Sequence, residues 1–167
     1  MPGLYELTVP VLIHKLHCLD HLLAKAADSG VDEATLIAAR IAPDMLPLPR
    51  QIQIACDTAK LVVMRLGQMA PSPMPDEETT LAELRTRIAR TVAYLETADP
   101  AAFAGRETAE ITLQFPGMEM TFTGQSLVTD FSLPNFYFHM TVAYALLRMH
   151  GVAIGKMDFL DGARLRA

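Results

Sequence analysis

The sequence predicts an all-α protein, an up-and-down four-helix bundle with a small β-hairpin before the last helix. Four segments repeat apolar residues at the 3.6-residue spacing of an amphipathic helix, one short segment alternates at period two, and proline- or glycine-rich breakers separate them. Four apolar stripes need one another for burial, and neighbours joined by short connections supply it. The 167 residues suit one domain, 1–167, long enough to bury about two-thirds of the surface its unfolded form exposes. No internal repeat and no second domain is evident.

Leu12, Leu16, Leu19, Leu23 and Ala26 define a first helix of about 20 residues, with Pro10 near its start or kinking it and Ser29-Gly30 at its end. A short helical piece runs from Asp32, a cap, to Ile41, and Pro43, Pro47 and Pro49 turn the corner. The second long helix begins around Leu48, buries Ile52, Ala55, Ala59, Val62 and Leu66, and stops at Gly67 before the polar, exposed linker APSPMP. The third starts at Asp76 or Thr80, where Thr80 and Glu83 have capping-box spacing, and carries Leu81, Leu84, Ile88, Thr91 and Leu95 with its other faces charged. Ile111, Leu113 and Phe115, then Pro116-Gly117, then Met118, Met120 and Phe122 read as a hairpin with one buried face. The fourth long helix begins at Pro134, a residue favoured at the first helical position, and ends before Gly151. Phe159 and Leu160 in the tail are expected to pack back on the bundle.

A formal charge of −5 argues against a nucleic-acid partner or an anionic membrane surface held by electrostatics. No apolar run approaches the ~18 residues of a membrane span, and no basic segment with a cleavage site opens the chain, so a cytoplasmic protein is expected. Cys18 and Cys56 fall within apolar helical patterns without metal-ligand spacing and read as reduced packing residues. Gly155-Lys156 lacks the glycine spacing and the following Ser or Thr of a phosphate loop, so no nucleotide site is expected. Arg40 and Asp44, four apart across the proline corner, read as an ion pair or as an Asp cap of the second long helix.

The segments ARIAPDMLPLPRQIQIACDTAKLVVMRL and LPNFYFHMTVAYALLRMHGVAIGKMDFL resemble the two signature blocks of a bacterial family of unknown function within the DinB/YfiT-like four-helix-bundle superfamily. The resemblance implies a divalent-metal template, with one histidine on the second helix and two histidines four apart on the last, and some members transfer small thiols. Residues i and i+4 of a helix point the same way, so two imidazoles can share one ion with a third ligand from a facing helix. This chain departs from the template twice. His139 fits the first position on the last helix, but Ala143 stands four residues on, and Gln51 or Gln53 stands where the second helix needs a histidine. An amide oxygen is a poor ligand for zinc or nickel, so no resident metal and no cofactor are expected.

On a helical wheel His139 shares its face with Asn135, Ala143, Leu146 and His150, while Tyr137, Thr141, Tyr144 and Arg148 face the other way. His139 is then either a core histidine hydrogen-bonded to Asn135 or a neighbouring helix, or part of a small polar pocket with Gln51 and Thr58. His139, Asn135 and Gln51 are the candidate ligand-binding residues, and no catalytic residue is assigned. His14, His17 and His21 have spacing that can hold a transition metal, yet they lie opposite the leucine stripe and are expected to be solvated or at a subunit contact. Three readings follow: a small-molecule-binding bundle with a degenerate metal site, a metal-dependent transferase or hydrolase of the DinB/YfiT type, or a dimerisation module. Tyr137, Thr141 and Tyr144 opposite the core predict a homodimer.

Overall fold

The computed structural model describes residues 2–162 and is mostly helical, with one two-stranded antiparallel hairpin. Helix α1, Leu4–Ala27, starts earlier than the periodicity suggests, because Pro10 lies inside it. Proline loses one backbone bond and crowds the preceding turn, but its ring faces solvent here while Leu4, Thr8 and Val9 anchor the first turns in the core. The Gly3 N–H donates to the Glu6 carboxylate at 2.9 Å and closes the start. Helix α2, Glu33–Ala38, is capped as expected by Asp32, which accepts the Thr35 N–H at 2.9 Å, but ends short of Ile41. The corner is not fixed by an Arg40–Asp44 pair: Arg40 Nη1 donates to the Met45 carbonyl at 2.7 Å, and the cap position of the next helix belongs to Pro47.

Helix α3, Leu48–Arg65, and helix α4, Leu81–Glu96, sit close to their expected bounds, and the Thr80–Glu83 capping box forms at the start of α4. The linker between them is exposed, as expected, but it is also tied down. Lys60 donates to the Ser72 carbonyl at 3.0 Å, Arg87 to Pro75 at 3.0 Å and the Tyr94 hydroxyl to Ala70 at 2.6 Å, so long side chains strap it across α3 and α4.

After a 3₁₀ turn at Pro100–Phe103, strands β1, Glu110–Phe115, and β2, Met118–Thr123, pair in the register Ile111↔Phe122, Leu113↔Met120 and Phe115↔Met118. Gly117 takes the turn with φ +75°, a conformation that glycine adopts without Cβ strain. Ile111 and Leu113 are buried, Phe115 and Phe122 pack on Phe131 with ring centres 5.8 and 5.7 Å away, and Met118 at the turn is exposed.

The last long helix begins within one residue of Pro134, as expected, with the proline in its first turn, but it does not start afresh. The chain is already helical from α5, Gly124–Ser126, and passes through a π turn, Leu127–Ser132, into α6, Leu133–Met149. A widened turn just before a proline relieves the clash between its ring and the carbonyl one turn back, so the helical path survives. Helix α7, Lys156–Asp161, then lies on α1. Among the long helices, α3 packs on α6 and α4, and α1 on α4, around one core cluster drawn from all of them. No helix of the described residues is long and apolar enough to cross a membrane.

Candidate functional site

The π turn delivers α6 against α3 with Asn135 and His139 facing it. His139 is 8% exposed. Its Nδ1–H donates to Gln51 Oε1 at 2.7 Å, and the Gln51 amide is held in that orientation because its Nε2 donates to the Leu46 carbonyl at 2.8 Å. One turn along, Asn135 Nδ2 donates to Thr58 Oγ1 at 2.8 Å, and Thr58 passes its own proton to the Ile54 carbonyl at 2.7 Å. All three sequence candidates, His139, Asn135 and Gln51, therefore lie at one interface between helices, as two separate pairs, His139 with Gln51 and Asn135 with Thr58.

Burial lowers the His139 pKa, and the charge of Arg50 lowers it further. The ring is thus neutral near pH 7, and with its proton on Nδ1 the Nε2 lone pair is an acceptor. Nε2 has no hydrogen-bond partner among the described residues. Phe138, half-exposed, stands edge-on to the imidazole with ring centres 5.1 Å apart. The arrangement offers one directed acceptor beside an aromatic surface, and among the described residues no nucleophile is held against the imidazole.

A divalent metal does not fit these residues. Ala143 is fully buried and has no ligand atom, and Gln51 spends its oxygen on the His139 ring. Gln53 is turned elsewhere, donating to Glu78 at 2.8 Å and accepting from Arg50 at 2.8 Å. Among the described residues no three His, Cys, Asp or Glu side chains converge as an ion's ligands.

His14 and His21 are not solvated as expected. Both are partly covered by α7: His21 Nε2 donates to Asp158 at 2.9 Å and His14 Nε2 lies 3.5 Å from Asp161, while His17 is exposed. Sequence reasoning also missed the charged centre between α3 and α4. The Arg87 side chain is 1% exposed and reaches Asp57, Asp76 and Glu78 at 2.9–3.0 Å. Arg87 keeps helical step with Leu84, Ile88 and Thr91, which was the available signal that it points inward. Beside it Cys56 is fully buried, and burial pushes its thiol up to about 12, which makes it an inert packing group.

Fold and site together define a mostly helical protein in which a hydrogen-bonded imidazole–amide pair lies between two long helices. Residues 4–160 match the family described as a domain of unknown function, DUF1993, and the chain belongs to that family. It is similar to a DinB family member protein from Shewanella denitrificans of known crystal structure, at 42% identity over 94% of this chain and 91% of that one, with a TM-score of 0.84. No curated protein matches.

Proposed function

We propose that this chain is a cytoplasmic, homodimeric small-molecule-binding protein, a single domain with the four long helices arranged up and down, whose His139, Asn135 and Gln51 contact the ligand at a degenerate metal site. The observation that carries the reading is the His139–Gln51 hydrogen bond, which fixes a neutral ring with Nε2 left as an acceptor. A ligand with an O–H or N–H donor and an apolar body suits Nε2 and the neighbouring Phe138 face.

The test uses protein purified without a polyhistidine tag. Native mass spectrometry of the wild type is expected to reveal a retained small molecule that is reduced in His139→Ala, with zinc, nickel, iron and manganese substoichiometric in both. Stoichiometric metal in the wild type, lost in His139→Ala, would instead support the metal-dependent enzyme. A clean apo mass in both proteins counts against ligand retention and leaves the dimerisation module as the better account.

A further inference from the structure

His14, Cys18, His21 and Lys25 follow the 4-3-4 spacing of a seam along one face of α1. Helix α7 lies along that seam. Asp158 Oδ1 accepts from His21 Nε2 at 2.9 Å and from Lys25 Nζ at 3.0 Å, while Oδ2 takes the Gly155 N–H at 2.7 Å. Lys15 Nζ donates to the Leu160 carbonyl at 2.6 Å and stands 5.8 Å from the centre of the Phe159 ring, whose other neighbour is Tyr144. Gly162 passes so close to α1 that a Cβ there would sit 2.5 Å from His21 Cδ2. None of residues Lys156–Asp161 is buried. Beneath them Cys18 is fully buried, its Sγ 3.8 Å from the Leu160 carbonyl and 3.8 Å from His14 Nε2.

We propose that α7 is a clasp that lifts from α1 as a unit while the long helices stay folded, and that lifting it presents the Cys18 thiol, with the His14 imidazole beside it, to solvent. Elements that open below the global unfolding transition are those with little buried apolar surface, and a six-residue helix has no stability of its own once undocked. Two of the tethers from α1, His21 and Lys25, share the single Asp158 carboxylate, which also takes the Gly155 N–H at the start of α7, so one change at Asp158 loosens both. His14 and Cys18 belong to the same helix, so their proximity persists when α7 leaves.

Cys56, fully buried between α3 and α4, supplies an internal control. The full-length protein is treated with N-ethylmaleimide under native conditions, and each cysteine is followed by peptide mass spectrometry. In the wild type Cys18 is expected to react faster than Cys56, at a rate that rises only weakly with low urea, because a small opening exposes little surface. Asp158→Asn weakens charge-assisted bonds and is expected to accelerate Cys18 about tenfold while leaving Cys56 unchanged. If that variant does not fold, the urea dependence in the wild type decides. The proposal is overturned if both cysteines react together with the urea dependence of global unfolding, or if folded Asp158→Asn labels Cys18 at the wild-type rate.

Discussion

A histidine buried in its neutral form makes a specific demand on pH. Because burial and Arg50 lower the His139 pKa, the folded chain binds fewer protons there than the unfolded chain. Its contribution to stability is full above the unfolded value of about 6.5 and declines as pH falls toward the folded value. The melting temperature is therefore expected to drop between pH 7 and pH 5, and to drop less in His139→Asn, whose amide can offer the same N–H to Gln51. Identical slopes would remove His139 from the account. Gln51→Glu reverses the sign, since a carboxylate favours the charged ring, and an NMR titration should find His139 above its ordinary pKa. Gln51→Ala leaves the Nδ1 donor unpaired at a cost of about 1–3 kcal/mol, readable by urea denaturation.

Elements show where sequence patterns suffice and where they do not. The hairpin was legible because Pro116-Gly117 interrupts a strict alternation, and the buried side chains fall where that alternation puts them. Leu113→Asp buries a carboxylate beneath the ribbon and is expected to destabilise the protein by about 3 kcal/mol or more; an unchanged melting temperature would show that the hairpin is not part of the core. The strap between α3 and α4 was legible only in the helical step of Arg87, because Lys60 and Gln53 look like a solvated face until residues 72–78 fold back onto them. Removing the guanidinium in Arg87→Ala is expected to cost about 2 kcal/mol, below the usual figure for a fully buried pair because Asp57 and Asp76 remain partly solvated. The histidine seam on α1 was misread for a related reason. Its partner is a short terminal helix whose own sequence gives no sign of where it docks. Asn135, by contrast, could be placed from a helical wheel, and Gln51 from the wheel together with the family resemblance, because α3 and α6 are long and regular enough for a wheel to hold its phase.

At the scale of the whole molecule, the face once assigned to a subunit contact is partly used within the chain. Tyr144 packs on Phe159 of α7, with ring centres 5.8 Å apart, whereas Pro134, Phe138, Thr141 and Met149 stay exposed along a neighbouring stripe of α6. A homodimer is expected to use that stripe, so Phe138→Glu should convert a dimeric scattering mass at micromolar concentration to a monomeric one; a monomeric wild type would remove the idea. Stronger acid, below the range in which His139 acts, reaches the edge of the molecule where α7 docks. The His21 and Lys25 partners and the Gly155 N–H, outweighing the opposing effect of burial, hold the Asp158 carboxyl at about 2, so its stabilisation is complete above about pH 4 and fades as pH falls toward 2. The π turn ahead of Pro134 gives the chain a tolerance for changes in length. A π turn is one residue spliced into an otherwise α-helical path, so a relative lacking one residue between 127 and 132 can run straight and still set its counterparts of Asn135 and His139 against α3. The same deletion a turn later, inside α6, has no slack to consume and would swing every residue on one side of it by about 100° relative to the other, parting His139 from Gln51.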